Sequence, residues 1–440
     1  MRPEVAEPAA GPQTDEEPLV SIRNLETYYS IRGNFADRLV GREAGVVRAV
    51  DGVSLDIRRG EVLGLVGESG SGKTTLGRTL LGLVRATGGS VEFEGREITG
   101  LRERRFRDLR RRMQVVFQDP HASLNPAMTI AQAVGHPLQI HGLVHDHAEL
   151  RARVAEILET VGLAPAEAYL DKYPGDLSGG QKQRAVIARA LILSPVLLVA
   201  DEPVSMLDMS VRAKILELML ALKQDFELTY LYITHDLATA RFFCDRIAIM
   251  YLGRIVEIGP AEAIYADPKH PYTQALLKAI PEPDPAKAVA RDLPRGEVPD
   301  AASPPLGCPF HPRCPRAFEP CGWESRDLHD LLEMRWAGLA GDPRVEQEQR
   351  IVGDLAALDR PSSEVRFSPP RGRQPQEVVS LLERVRAEDP EEPFWRGVER
   401  LEAAGTHLAL VFHEPREPRL EPVGDSEVAC HLYDESAASG

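Results

Sequence analysis

The pattern that could do chemistry most directly lies at residues 67–74, which read GESGSGKT. It fits G-x-x-x-x-G-K-[ST], a glycine-rich loop whose backbone amides wrap closely around phosphate oxygens. In such a loop Lys73 reaches the terminal phosphates of a nucleotide, and the hydroxyl of Thr74 can ligate Mg²⁺. The nucleotide-contacting residues predicted from this pattern are Gly67, Ser69, Gly70, Ser71, Gly72, Lys73, Thr74 and Thr75.

Two adjacent acids, Asp201 and Glu202, follow the apolar segment 196–200 (VLLVA). An apolar strand that ends in acids places carboxylates at a dry sheet edge, where a nucleotide site needs a second ligand for its metal. There Asp201 can complete the Mg²⁺ shell, and Glu202 can orient or deprotonate a water molecule. Both acids are therefore predicted to share a site with the glycine-rich loop.

A third pattern, LSGGQ, occupies residues 177–181 and opens a helical segment. Ser178 is a favourable N-cap, and Gly179 and Gly180 would let another molecule approach the backbone closely. A helix start of this kind can bind a second phosphate group. Taken alone, the pattern is also satisfied by an ordinary capped helix.

Alternating strand and helix patterns would position these groups. Short apolar runs without polar alternation predict buried strands at 61–67, 114–117, 196–200 and 229–234, and helical periodicity predicts helices at 75–83, 147–161, 181–193 and 210–223. The segments 19–31 and 46–57 predict an edge sheet, with two short strands around Asp51-Gly52. This order predicts an α/β fold with a largely parallel sheet.

The length of 440 residues allows two or three domains, and the net charge of −15 argues against a nucleic-acid binder, which would need clustered Lys and Arg. The longest apolar run, 190–200, is about half of the roughly 20 residues that a bilayer requires. The first residues lack the features of a signal peptide, so a cytoplasmic protein is expected.

Composition divides the chain into a disordered tail at 1–18, a catalytic domain at 19–281 and a C-terminal extension at 282–440 that begins with a Pro-rich connector. Within the extension, residues 322–427 contain 23 acidic and 14 basic side chains. Helical spacing is predicted at 377–388 and 395–404, and a strand at 407–414.

Together the loop, LSGGQ and the ADEP sequence around Asp201 resemble the signature of ATP-binding cassette (ABC) ATPases. The resemblance extends from Leu19 to Ile280. It implies a P-loop NTPase fold with a mixed sheet and a helical signature subdomain, with ATP and Mg²⁺ as ligands. It also implies that two cassettes close head to tail, so that the signature residues act in trans on the partner's ATP: Ser178, Gly179, Gly180 and Gln181.

The same resemblance assigns further residues. Gln118 matches the Q-loop, which contacts the metal and the attacking water, and His235 matches the switch histidine at the γ-phosphate. Tyr28 matches the aromatic that stacks on adenine, with Tyr29 as a competing choice. The D-loop residue is Asp208, although Met206 stands where the family more often has Ala. The implied catalytic set is Glu202, His235 and Gln118, and the implied Mg²⁺ set is Thr74, Gln118 and Asp201.

Segments 118–130, 270–281 and 307–315 resemble one subfamily, the oligopeptide and dipeptide importers that also include nickel uptake systems. This resemblance implies a second ATPase subunit, two permease subunits, an extracytoplasmic solute-binding protein and a place at the cytoplasmic face of the membrane. The alternative is a soluble cassette ATPase acting on nucleic acid or ribosomes, but such proteins usually carry tandem cassettes or a long coiled coil. A phosphotransferase would leave LSGGQ and His235 without a role.

Four of the five cysteines, Cys308, Cys314, Cys321 and Cys430, lie in the extension. Four thiolates suit either an iron–sulfur cluster or tetrahedral zinc, and they could also remain unligated. The subfamily resemblance favours a [4Fe-4S] cluster. The 108 residues between Cys321 and Cys430 exceed the family's usual gap, which allows an inserted lobe that is either merely solvated or binds a partner. A folded insertion must return Cys430 to the other three.

Overall fold

The computed structural model describes residues 17–31, 45–280 and 296–434. Most of the tail predicted at 1–18 and the connector residues 281–295 lie outside the described residues. Fifteen strands fall in the described part of the chain: β1 (Val20–Ser30), β2 (Val46–Ile57), β3 (Val62–Val66), β4 (Gly88–Phe93), β5 (Arg96–Glu97), β6 (Met113–Val116), β7 (Leu197–Asp201), β8 (Thr229–Thr234), β9 (Arg246–Tyr251), β10 (Arg254–Pro260), β11 (Glu364–Phe367), β12 (Val398–Ala404), β13 (His407–Phe412), β14 (Leu420–Val423) and β15 (Ser426–Ala429).

The α-helices of the same residues fall between and after these strands. They are α1 (Lys73–Leu80), α2 (Glu103–Leu109), α3 (Pro120–Ser123), α4 (Ile130–Ile140), α5 (His147–Thr160), α6 (Glu167–Leu170), α7 (Gly179–Leu191), α8 (Met209–Asp225), α9 (Leu237–Phe243), α10 (Ala261–Ala266), α11 (Pro271–Lys278), α12 (Ser325–Gly338), α13 (Pro343–Val352) and α14 (Pro375–Glu388). No helix in the described part of the chain is both long and apolar enough to cross a bilayer.

An eight-stranded sheet forms the centre, in the order β14-β15-β10-β9-β3-β8-β7-β6. The strands from β9 to β6 are parallel, and β10, β15 and β14 add antiparallel pairs at one edge. Every residue of β3, β7 and β8 is buried, because helices and a second sheet cover these apolar strands. The predicted α/β fold with a mixed sheet is confirmed.

A second, four-stranded antiparallel sheet has the order β2-β1-β4-β5. The expectation of two short strands around Asp51-Gly52 is wrong, because β2 runs unbroken from Val46 to Ile57. Val53 pairs with Leu25 and Val50 with Thr27, so three steps along β2 match two along β1. The Asp51-Gly52 pair is thus a bulge within one strand, where Gly52 takes a φ of 73°.

The extension contains a lobe of three helices, α12 to α14, and a three-stranded antiparallel sheet in the order β11-β13-β12. The helix predicted at 377–388 and the strand predicted at 407–414 are confirmed by α14 and β13. The helical spacing at 395–404 is wrong: a 3₁₀ turn at Pro393–Arg396 precedes strand β12. Val398, Leu401 and Ala404 are three residues apart, which imitates a helix, but β13 supplies their backbone partners.

After the lobe the chain returns to the cassette. β15 pairs with β10, with Glu257 opposite Val428, and β14 pairs with β15. One apolar core cluster extends from cassette residues such as Val66 to lobe residues such as Phe412. The extension is therefore joined to the central sheet by both backbone pairing and packing.

Candidate functional site

The glycine-rich loop connects β3 to α1, and close packing requires glycine at two of its positions, Gly67 and Gly72. A Cβ at Gly67 would overlap the carbonyl oxygen of Met250, and one at Gly72 would overlap that of Ala49. Gly72 also adopts a φ of 101°, which side chains rarely tolerate. The loop is thus fixed against β2 and β9. Its backbone amides and the N-terminus of α1 can together bind a phosphate group.

Lys73 lies buried inside this loop. Its Nζ donates to the carbonyl oxygens of Gly67 (2.8 Å) and Glu68 (2.7 Å) and lies 3.2 Å from Ser71 Oγ. Burial lowers the pKa of Lys73, and Glu202 and Asp201 oppose that shift. The ammonium group is therefore held where the phosphates of a nucleotide would replace its carbonyl partners.

Thr74 and Asp201 supply the oxygen ligands expected for Mg²⁺. Thr74 Oγ1 donates to Asp201 Oδ1 across 3.0 Å. Burial raises the pKa of Asp201, so a cation at this position would favour its ionised form. A hydroxyl and a carboxylate at the mouth of a phosphate loop fit a Mg²⁺ ion that also takes phosphate oxygens and water.

Glu202 is the meeting point of the predicted catalytic residues. Gln118 Nε2 donates to Glu202 Oε2 (2.8 Å), and His235 Nδ1 lies 2.9 Å from Oε1. The three residues follow the carboxyl ends of β6, β7 and β8, which meet at one edge of a parallel sheet. Glu202 has a φ of 48°, while its N–H donates to the Ile233 carbonyl. The carboxylate thus has a fixed backbone and two polar neighbours.

The predicted signature residues lie at the start of α7. Ser178 Oγ accepts from the N–H of Gln181 (3.4 Å), and Gln181 Oε1 accepts from the N–H of Ser178 (2.9 Å), which forms a capping box. Ser178 and Gly179 are exposed, as is Asp208 at the start of α8. A second molecule can therefore reach this helix start.

Of the two aromatic candidates for adenine, Tyr28 is the anchored one. Its hydroxyl donates to Asp51 Oδ1 at 2.6 Å, and the Arg48 guanidinium lies 6.0 Å from its ring centre. Burial and the Asp51 contact raise the pKa of Tyr28. Tyr29 is 43% exposed. The structure thus holds Tyr28 in one orientation beside the loop-bearing sheet.

Comparisons with known proteins match both parts of this architecture. The family model described as ABC transporter matches residues 50–205, and that described as oligopeptide/dipeptide transporter, C-terminal region, matches residues 256–321. A putative peptide import ATP-binding protein of Brucella ovis is 47% identical over 316 residues, 72% of this chain and 95% of the relative. The chain belongs to the ABC transporter ATPase family.

A second relative agrees with this assignment. The oligopeptide transport ATP-binding protein AppF of Bacillus subtilis is 44% identical over 310 residues, 70% of this chain and 92% of the relative. The solved structure of the ABC cassette MJ0796, a dimer bound to ADP and phosphate, is 30% identical with a TM-score of 0.48, covering 55% of this chain and 98% of that one. As a member of the ABC family, the chain is an ATPase that uses ATP and Mg²⁺. The nucleic-acid alternative receives no support.

The four cysteines of this ABC ATPase's extension line one small cavity of about 10 Å³. Burial raises the pKa of Cys314 to about 11 and those of Cys321 and Cys430 to about 12. Among residues 17–31, 45–280 and 296–434, no group of three or more His, Cys, Asp or Glu side chains is placed to hold a metal ion. The cysteines therefore surround a space without converging on one ion position.

Two residues near this cavity were missed from the sequence. His270 lines the cavity, and its Nδ1 accepts from the N–H of Tyr272 (3.0 Å), so its proton is on Nε2, which has no hydrogen-bond partner in the described part of the chain. Burial lowers the pKa of His270 to about 3, which keeps it neutral. Arg313 reaches from the cysteine segment to Glu68 of the phosphate loop. The sequence marks both only as parts of short motifs.

Proposed function

We propose that this ABC ATPase powers the uptake of dipeptides or oligopeptides through partner permease subunits. The observation that carries the proposal is the identity of 44–47% to ATP-binding proteins named for peptide import or oligopeptide transport, over 92–95% of their length. The match of residues 256–321 to the oligopeptide/dipeptide transporter C-terminal region supports it further.

The geometry supports a division of labour within the site. The amides of the phosphate loop and Lys73 would bind the phosphates, and Thr74 and Asp201 would hold Mg²⁺, which would supply positive charge to the phosphates. Glu202 orients the attacking water, with Gln118 and His235 fixing its two carboxylate oxygens. The exposed helix start at Ser178 of a second cassette would complete the ATP site from the other side.

The proposed partners follow from this closure. A second ATPase subunit, identical or different, would complete each ATP site in trans, and two permease subunits would convert closure and reopening into alternating access. A solute-binding protein outside the membrane would deliver the peptide. The chain itself would lie at the cytoplasmic face of the membrane, attached through the permeases.

Reconstitution tests this function. The complex that co-purifies with the full chain from membranes is placed in ATP-loaded vesicles with its ATP sites facing the lumen, and a mixture of peptides of two to eight residues is offered outside with the solute-binding protein. We expect ATP-dependent accumulation of peptides, measured by mass spectrometry, and none with the Glu202→Gln complex. Co-purification with ribosomes or nucleic acid in place of membrane subunits would overturn the proposal, as would nickel uptake without peptide uptake.

We propose in addition that the cysteine cavity holds a [4Fe-4S] cluster, because three observations fit one. Four sulfur ligands surround a single space, their spacing does not suit one ion, and a buried Nε2–H of His270 lacks a partner. A single zinc ion would need all four sulfurs about 2.3 Å from one point. A cluster is larger, holds one cysteine on each iron and can accept an N–H···S contact, and it supplies a redox-active or structural centre when bound.

Anaerobic purification of the full chain tests the cluster. We expect about four irons and four sulfides per chain, with a broad absorbance near about 400 nm. Cys314→Ser should lose most of the iron, whereas Cys244→Ala, at a buried cysteine of the cassette, should retain it. One zinc per chain, or no metal at all, would contradict the proposed cluster. Neither result would bear on the proposal of peptide uptake.

A further inference from the structure

The C-terminal extension contacts the phosphate loop through Arg313. Its guanidinium donates to Glu68 Oε2 (3.0 Å) and Oε1 (3.4 Å) and to the Tyr251 hydroxyl (3.4 Å), and its side chain is only 8% exposed. The Glu68 N–H in turn donates to the hydroxyl of Tyr272 (3.0 Å). Since the carbonyl of Glu68 also holds Lys73, Arg313 acts on the residue that positions the phosphate-binding lysine.

A second contact reaches the opposite end of the site, beside Tyr28. Glu417 of the extension pairs with Arg254 (2.9 Å), and Arg254 pairs with Asp51 (2.8 Å), the acceptor of the Tyr28 hydroxyl. The Glu417 side chain is 64% exposed, so solvent screens this pair more than the Arg313 pair. The two contacts lie at the phosphate and adenine ends of the predicted ATP position.

Both contacts start from segments that surround the cysteine cavity. Arg313 directly precedes Cys314. The residue before Glu417, Arg416, donates its N–H to the Pro320 carbonyl (3.0 Å) and accepts at its carbonyl from His431 Nε2 (2.9 Å). Pro320 and His431 adjoin Cys321 and Cys430. The arrangement of the cysteine segments therefore determines where Arg313 and Glu417 lie.

We propose that Arg313 and Glu417 are positioning residues that hold the ATP site in its binding form, with Arg313 the dominant one. Arg313 acts through Glu68, and Glu417 acts through Arg254 and Asp51. Coupling between two sites is reciprocal. The extension therefore raises the affinity for ATP, and ATP stabilises the segments around the cysteines. This inference rests on the ATPase fold and not on peptide transport.

The test measures binding of a fluorescent ATP analogue by the full chain in the Glu202→Gln background, and separately the KM and kcat of the otherwise unaltered ATPase. For Arg313→Ala we expect a roughly 5- to 50-fold rise in both Kd and KM, within the usual range of coupling, and kcat within about twofold. Arg313→Lys keeps the charge without the two-pronged contact and should show a smaller rise. Glu417→Gln should change Kd by about twofold.

A double-mutant cycle separates this role from general stabilisation. Glu68→Gln combined with Arg313→Ala should weaken binding no more than the stronger single change, because both remove one interaction. The matched control is Arg335→Ala, which breaks another buried Arg–carboxylate pair, with Glu348, inside the lobe. We expect the ATP affinity of this control to remain unchanged.

Hydrogen exchange supplies the reciprocal measurement. ATP should slow exchange at residues 311–317 in the Glu202→Gln chain, and this protection should be lost with Arg313→Ala. An unchanged Kd for both Arg313→Ala and Arg313→Lys would overturn the proposal. So would independent, additive effects of Glu68→Gln and Arg313→Ala, or an equal loss of affinity in Arg335→Ala.

Discussion

The two candidate sites of this ABC ATPase are built in different ways. In the cassette, Gln118, Glu202 and His235 follow the ends of parallel strands, so the sheet alone brings them together. In the extension, the cysteine cavity gathers side chains from loops and 3₁₀ turns, and Cys430 arrives only after the lobe and strand β15. The first site depends on neighbouring strands that pair in register. The second depends on the long chain segment between Cys321 and Cys430, which must fold back to the other cysteines.

This difference predicts different responses to mutation. A change at a strand end should remove one chemical function and leave the fold, because backbone pairing holds the neighbouring residues. A change in the cysteine segments should spread to the ATP site, because these segments carry the contacts to Glu68 and Arg254, whereas a change inside the lobe should stay within the lobe. The predictions below separate these two responses, beginning with the largest effect.

Glu202→Gln should have the largest effect on the cassette. Loss of a group that orients or deprotonates water lowers rates by about 10²- to 10⁴-fold. The amide keeps the shape of the carboxylate, so ATP binding should stay near its normal value. Single-turnover hydrolysis and analogue binding measure the two properties, and Glu262→Gln, at an exposed acid of α10, is the matched control. Undiminished turnover in Glu202→Gln would remove Glu202 from the catalytic role.

Gly72→Ala should have the next largest effect, a loss of ATP affinity. The new methyl group would meet the Ala49 carbonyl at a φ of 101°, and alanine at such a φ costs more than about 1 kcal/mol. We expect ATP affinity to fall at least about tenfold, since 1.4 kcal/mol corresponds to a factor of ten. Gly175→Ala, where a Cβ meets open space, should bind ATP normally. Equal binding by both variants would show that the loop can shift without loss.

Sequence reasoning was strongest where the signal is local. The loop, the acids at the end of β7 and the capped start of α7 are continuous motifs on strongly patterned segments, and the structure places them on the expected elements. Sequence reasoning failed where pairing with another strand determines the secondary structure. Segment 395–404 has apolar residues at helical spacing over little more than two turns, and only pairing with β13 makes most of it a strand.

The contacts that join the two regions were not predictable from spacing. Arg313 and Glu68 are separated by 245 residues, and neither residue type indicates a partner at that distance. The same holds for Arg254 and Glu417. Because such pairs form only after the sheet and the extension have packed, their existence is a property of the tertiary fold. The motif containing Arg313 pointed to the subfamily but gave no sign of this contact.

Arg335→Ala should affect the lobe and spare the cassette. Arg335 makes a two-pronged contact to Glu348 at 2.8–2.9 Å and also pairs with Glu388, and Glu348 is only 4% exposed. Removing one member of a buried pair leaves the other charge unpaired and costs about 3–5 kcal/mol. We expect faster hydrogen exchange in α12 to α14 without a change at the phosphate loop. Exchange that rises equally in both regions would show that the chain opens as one unit.

The smallest effect should be a pH dependence confined to the lobe, at His329. Its Nδ1 lies 2.7 Å from Asp359 and its Nε2 lies 3.2 Å from Glu333. Burial alone would lower the pKa of His329, but these two carboxylates outweigh it and raise the pKa. A histidine with a raised pKa stabilises the folded state fully below the unfolded pKa of about 6.5, and this contribution is lost as pH rises through the folded value.

Hydrogen exchange in the lobe should therefore accelerate, after correction for its intrinsic pH dependence, as pH rises from about 6 to 8. His329→Gln should flatten this corrected rise. The free energy that the His329 pairs contribute to the lobe should be less than about 1 kcal/mol, because both acids are more than half exposed. His145→Gln, at an exposed histidine of the cassette, should leave the lobe's profile unchanged. A profile that His329→Gln does not alter would mean that the lobe's ion pairs are insensitive to this charge, and that its stability comes from packing around α12 and α14.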